Sequence, residues 1–290
     1  MEAHSILHAQ AALGEGALWN PDTQQLYWVD IEGHAFHVFD PATRQDICFP
    51  TVVRVGTVVP MYNGNVLLAL QTGIHELDLC TGHLKLLVNP LTDPNLRFND
   101  GKCDPAGRFW VGTFHLEQEP HAGTLYRFDP DGSLHVMLRD ITNSNGIAWS
   151  LDHATMYYID TPTLTVQAFD YDDATGSIAN PKVIVRIPEG LASPDGMTID
   201  AEGKLWVALW CGGSVHRYDP QTGALLQVIE VAAPFTSSCA FGGPGLETLY
   251  ITTARHGFTR EQQQQFPLGG NLFTVEPGVR GVPAYFYGKK

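Results

Sequence analysis

Positive charge is scarce in this sequence: Lys and Arg number 17 against 31 Asp and Glu, a formal charge of −14 over 290 residues. Such a balance repels a phosphate backbone and an anionic membrane surface, which argues against nucleic acid and membrane as partners. No apolar run approaches the roughly 20 residues that span a bilayer. The N-terminus MEAHSILHAQAALGEG has neither the basic nor the apolar segment of a signal peptide, and a cytoplasmic protein is expected. Cysteine is sparse too. Cys48, Cys80, Cys103, Cys211 and Cys239 are odd in number, far apart and free of any CxxC pair, so neither a disulfide framework nor a zinc knuckle is indicated. Reduced thiols in strands or turns are predicted. G-x-S-x-G, H-E-x-x-H and the P-loop are missing, and with them the usual serine-hydrolase, zincin and nucleotide-binding readings. His115, His121 and His256 have no ligand-spaced partner and read as surface or packing residues. The chain does have material for a core, being 44% hydrophobic and only 17% charged.

No helical stretch of period 3.6 competes with a repeat written in strands and turns. Six copies open on a small residue, turn, and reach an apolar pair about nine residues on: GALWNPDTQQLYW, GTVVPMYNGNVLL, GKCDPAGRFW, GIAWSLDHATMYY, GMTIDAEGKLW and CAFGGPGLETLY. Aligned on Gly16, Gly56, Gly101, Gly146, Gly196 and Cys239, they are spaced by 40, 45, 45, 50 and 43 residues. Downstream of each runs a strand ending in an acid or its neighbour, as in AFHVFDPATR and SVHRYDPQTG. Units of this length and composition predict an all-β six-bladed β-propeller of four-stranded blades. The leading SILHAQAA would supply the outer strand of the last blade and close the ring, making residues 1–290 one domain. Trp19, Trp28, Trp110, Trp149, Trp206 and Trp210 fall in the strand pattern and read as blade core, and EQQQQF reads as a polar loop.

In a propeller the innermost strands line the channel, so equivalent repeat positions face one another. The residue before each anchor is Glu15, Val55, Asp100, Asn145, Asp195 or Ser238. Converging carboxylates without a counter-charge repel and raise one another's pKa. An all-oxygen set of Glu15, Asn145 and Asp195 therefore points to one divalent ion, Ca²⁺, Mg²⁺ or Mn²⁺ by ligand type, with Zn²⁺ or Fe²⁺ also possible. Each residue alone could instead cap a turn beside its glycine, though Glu-Gly is a poor turn pair.

At these residues the sequence resembles the SMP-30/gluconolactonase/luciferin-regenerating family. LGEGALWNP with YWVDIEG, RFNDGKCDPAGRFWVGT, SNGIAWS, SPDGMTID with LWVALW, and LYITTAR carry the resemblance over about residues 13 to 255. It implies a metal-binding propeller whose ligands match Glu15, Asn145 and Asp195, with calcium favoured. It also implies substrate contacts at Arg97, Asn99 and Glu117, the last in the long FHLEQEPHAG connection, and an acidic lining residue at Asp100. The activity implied is opening of a sugar lactone, such as gluconolactone, to its aldonic acid, with Asp195 as general base. Asp100 is the alternative base. A phosphotriester hydrolase on the same site, or a calcium-binding regulator or scaffold without catalysis, are the competing readings.

Overall fold

Every anchored stretch folds as an antiparallel hairpin in the computed structural model, which describes residues 1–288. The hairpins pair Gly14–Asn20 with Gln25–Asp30, Val55–Pro60 with Val66–Leu70, and Leu96–Cys103 with Phe109–His115. Three more pair Ser144–Trp149 with Thr155–Asp160, Ser193–Ile199 with Leu205–Trp210, and Phe235–Gly242 with Thr248–Ala254. A third and a fourth strand follow each of the first four hairpins, giving four separate four-stranded antiparallel sheets. The remaining strands form one eight-stranded sheet. Within it, the run from Ser193–Ile199 to Leu225–Glu230 meets the run from Phe235–Gly242 onward at a single residue pair, Trp210 with Phe235. Those two rings stack 4.4 Å apart. Trp210 is thus half-buried between sheets, whereas the other five tryptophans are core. The N-terminal strand His4–Leu7 pairs antiparallel with Leu272–Val275 near the other end of the chain.

One expectation needs correction. EQQQQF is not a loop: Arg260–Gln265 is a helical turn and a half, started by a capping box between Thr259 and Gln262. His115 takes the packing alternative, as the buried end of strand Phe109–His115. All five cysteines are free, as expected, with Cys103 and Cys239 buried in strands. No helix is long and apolar enough to cross a membrane among the described residues.

First strands are buried along nearly their whole length, while fourth strands such as Gln45–Pro50 and Leu84–Val88 are largely exposed edges. Each first strand packs against the first strand of the next sheet, and Phe235–Gly242 packs against Gly14–Asn20. This packing explains Gly56, Gly146 and Gly196, whereas Gly16 takes a left-handed φ of +60° and Gly101 closes on Trp110 and Val111 of its own hairpin. A Cβ on Gly56 would lie 2.4 Å from the Phe98 carbonyl oxygen and 2.7 Å from that of Asn99. Only glycine lets the two backbones approach this closely. Each first strand also slips register at its anchor, between Glu15 and Leu18, Val55 and Thr57, Phe98 and Gly101, Ser144 and Ile147, Pro194 and Met197, and Thr236 and Ser238. A bulge re-aims the side chains it carries.

Gly56→Ala should therefore destabilise the protein by about 2–4 kcal/mol, as overpacking against fixed backbone does. Gly82→Ala, at φ +71° with open space around it, should cost only about 1–2 kcal/mol of backbone strain. Urea unfolding of the two variants checks the difference, and equal losses would contradict the close-approach explanation.

Candidate active site

The bulges bring Glu15, Asp100, Asn145 and Asp195 into one buried cluster, 6%, 4%, 3% and 6% exposed respectively. Val55 and Ser238 fill the two remaining repeat positions and are buried as well. Two acids that close the second strands fix the approach to this cluster. Asp30 accepts hydrogen bonds from the Ala12 and Leu13 amides, each at 2.9 Å, just ahead of Glu15. Asp160 accepts from the Asn143 amide at 2.8 Å, just ahead of Asn145.

Glu15 and Asp195 are buried close enough for each carboxyl to perturb the ionisation of the other. Burial, then the charge of Asp100, pushes the Glu15 carboxyl up to about 8, while the Gly16 amide, Arg97 and Asp195 hold it back. Burial also lifts Asp195 well above the carboxylate range, with Glu15 and Asp100 adding to it. Asp100 is raised by burial against the pull of Lys102 and the Gly101 amide. One Asp100 oxygen takes the Gly101 amide at 2.7 Å, and the other, Oδ2, is buried with no partner. Among the described residues no three His, Cys, Asp or Glu side chains stand in a metal-holding arrangement. Any ligand set here beyond Glu15 and Asp195 therefore draws on neutral oxygen.

The Asn145 amide supplies one, and its orientation is fixed by the network. Thr161 donates its hydroxyl hydrogen to the Pro194 carbonyl at 2.8 Å, so its oxygen can only accept from Asn145 Nδ2, at 2.7 Å. Asn145 Oδ1 then faces the cluster, where it accepts from Asn99 Nδ2 at 2.9 Å and keeps a second lone pair. Asn99 Nδ2 also reaches the Ser144 carbonyl at 2.7 Å, and Asn99 Oδ1 accepts from Arg97 Nη1 at 2.5 Å. The chain Arg97, Asn99, Asn145, Thr161 thus runs through the third and fourth sheets to the peptide beside Asp195.

Arg97 is buried, and its guanidinium lies over the Phe114 ring, 4.7 Å from the centroid. Burial lowers its pKa to about 10 against the attraction of Glu32 and Glu15. Its Nε has no partner. Glu117 is exposed in the turn after Phe109–His115, and no hydrogen bond joins it to the cluster among the described residues. Thr161, Lys102 and the Glu32–Arg54 ion pair were not singled out by the sequence. Lys102 donates across to the Met197 carbonyl, two residues past Asp195. Its signal was the alternation from Asp100 to Lys102, which puts both on one face of a strand.

The family described as SMP-30/Gluconolactonase/LRE-like region matches residues 13–255. YvrE of Bacillus subtilis, named as a candidate sugar lactone lactonase, is 38% identical over 290 residues covering 98% of each chain. Regucalcin of Danio rerio is 38% identical over 290 residues, 99% of this chain and 98% of that one. Among solved structures, a regucalcin from Agrobacterium tumefaciens described as a calcium-binding protein superposes with a TM-score of 0.95 at 27% identity, covering 100% of this chain and 98% of that one. A luciferin-regenerating enzyme superposes at 0.92 with 30% identity, covering 99% of each.

The lifted carboxyl predicts a pH dependence of stability in chelator-treated protein. Below about pH 4.5 Glu15 is protonated folded or unfolded. From there to about pH 8 the unfolded chain ionises while the folded one keeps its proton. Stability should fall through that window by on the order of a few kcal/mol. Glu15→Gln should flatten the dependence. Urea unfolding from pH 4 to 9 measures it, and an unchanged slope in the variant would show that Glu15 is not the group responsible.

Proposed function

The chain belongs to the SMP-30/gluconolactonase/LRE-like family, and on that premise we propose that it is a divalent-metal-dependent lactonase that opens a sugar lactone to its aldonic acid. One observation carries the reading: two buried carboxyls pushed toward their protonated forms by burial, beside an oriented amide oxygen and a buried guanidinium with an unspent N–H. The architecture that goes with it is a single six-bladed propeller. Support comes from the cyclic packing of the first strands, the single-pair join within the eight-stranded sheet, and the pairing of the N-terminal strand with Leu272–Val275.

The donor set fits a hard cation, since Glu15, Asp195 and Asn145 offer oxygen only and the two carboxylates would neutralise a divalent charge. Calcium is the favoured ion, because the Agrobacterium regucalcin is described as binding it; Zn²⁺, Mn²⁺, Mg²⁺ and Fe²⁺ are the alternatives to test. Bound there, the ion supplies Lewis acidity toward the lactone carbonyl and the attacking water.

The protein's own groups do the rest. Asp195, in its ionised form, takes the proton of the attacking water as general base. Arg97 directs its free N–H and its positive charge at the oxygen where negative charge develops. Asn99, locked by Arg97 on one side and Asn145 on the other, holds its amide at a fixed position beside the substrate. Asp100, with an unpartnered Oδ2 facing the same cluster, is the alternative base. Glu117 would touch the substrate's outer hydroxyls from its exposed turn. Ring opening leaves the former ester oxygen as an alcohol and the carbonyl carbon as a carboxylate.

Indicator assays of proton release test this on chelator-treated protein, with each divalent ion added back, over glucono-, galactono-, xylono- and arabinolactones. Asp195→Asn should lower kcat by about 10²–10⁴-fold, the usual contribution of a general base. It should also raise the urea midpoint of the ion-free protein, because it removes a buried, repelled carboxyl. Asp100→Asn should cost much less in kcat. Folded Asp195→Asn with undiminished turnover would end the proposal, and reversed sizes would make Asp100 the base. Ion binding without turnover on any lactone would favour a calcium-binding regulator.

A further inference from the structure

Two guanidinium groups stand beside the cluster on the second and third sheets, and they are balanced differently. Arg97 has no carboxylate within ion-pair distance among the described residues; it bonds to the Phe98 carbonyl and the Asn99 amide oxygen. Arg54, immediately before Val55, is held by Glu32 at 2.8 Å, with side chains 28% and 17% exposed. Arg54 is near enough for its charge to lower the pKa of Arg97, and the first strands of the second and third sheets meet closely at Gly56. Glu32 follows Asp30 in the turn that fixes the approach to Glu15. It therefore lies where the acidic first sheet meets the cationic pair. Burial would raise its pKa, but the hydrogen bond and charge of Arg54 hold it down, so it stays ionised. Its attraction for Arg97 exceeds that of Glu15.

One carboxylate thus serves two cations. Without it, Arg54 and Arg97 would form an uncompensated positive patch beside the substrate, suited to a carboxylate or phosphate. We propose that Glu32 is a specificity-determining residue, which by holding Arg54 and offsetting Arg97 makes the site favour uncharged sugar lactones over lactones bearing a second, ionised carboxylate. The same charge weakens retention of the aldonate product, which is itself a carboxylate. The kinetic part of this inference rests on the lactonase reading; the anion-binding part does not.

Two measurements on Glu32→Gln test it. The first is the ratio of kcat/KM for D-glucaro-1,4-lactone, an anion, to that for D-galactono-1,4-lactone, which is neutral. It should rise about tenfold in Glu32→Gln, the size of one nearby half-buried charge. It should stay within about twofold of wild type in Glu32→Asp, which keeps the charge, and the gain should shrink in 0.5 M NaCl. The second is calorimetric titration with D-gluconate, whose Kd should fall by a similar factor in Glu32→Gln alone. An unchanged ratio and unchanged gluconate affinity in Glu32→Gln would overturn the proposal, as would equal changes for both lactones in both variants. If the wild type opens neither lactone, the lactonase reading is what fails, and the titration alone decides: tighter gluconate binding by Glu32→Gln supports the role of Glu32, and unchanged binding rejects it.

Discussion

Two carboxyl groups buried against each other are the constraint around which the rest of this protein is arranged. Neither Glu15 nor Asp195 can ionise freely beside the other and beside Asp100 in a cluster closed to water. A fold selected for stability alone would fill these positions as it fills the equivalent one with Val55. Instead, the surrounding elements hold the acids in place. Asp30 anchors the backbone just before Glu15, the Pro194 carbonyl beside Asp195 takes the Thr161 hydroxyl, and the Gly16 and Gly101 amides each occupy one oxygen of the preceding acid. These bonds orient the carboxyls without neutralising them. The charge deficit is left for a ligand to satisfy.

The strands that carry these groups are not neighbours in sequence, and most are not paired to one another by ladder hydrogen bonds. What brings them together is the close packing of first strands across sheet boundaries. That explains glycine at positions 56, 146 and 196, where a Cβ would meet the next first strand. The glycine removes the side chain that would separate two strands, and the bulge turns its polar neighbour inward. The site is therefore a consequence of how sheets meet, and the apolar core bridges the same sheets, with Val66, Leu67 and Leu68 of the second in one cluster with Tyr27 and Phe36 of the first and Phe98 and Val111 of the third.

The periodic part of this design is legible in the sequence. Turn chemistry and strand length are local, so the six hairpins can be counted from GALWN to CAFGG, and the position before each anchor can be lined up. The pairing of the N-terminal strand with the last one is legible for the same reason, because an exposed edge asks for a partner. What is not legible joins distant residues through side chains. Asn99 reaches Asn145 46 residues on, Arg54 reaches Glu32 22 residues back, and Thr161 fixes an amide from a turn with no motif of its own. The Thr259 to Gln262 capping box was readable and outweighed by the polar look of EQQQQF. Trp210 looks like the other tryptophans in sequence, yet it joins two strand quartets, because sequence cannot show which face of an edge meets the next sheet.

The apolar residue among these positions, Val55, carries its own physical argument. Val55 keeps the second sheet free of acid at the cluster, and the charge next to it is Arg54. The third sheet adds Arg97. Sheets one and five contribute Glu15 and Asp195 and the third also Asp100, so the cluster holds a dipole between its acids and the two arginines. Such a dipole across a buried space favours a substrate whose reacting bond becomes polar only in the transition state, since a neutral ground state gains little from either side. A product carboxylate, by contrast, is drawn to the arginines and repelled by the acids, and the overall charge of −14 favours its departure into solvent. How firmly that product is held depends on how much of the arginine charge is already compensated, and on the cationic side the carboxylate that does so is Glu32.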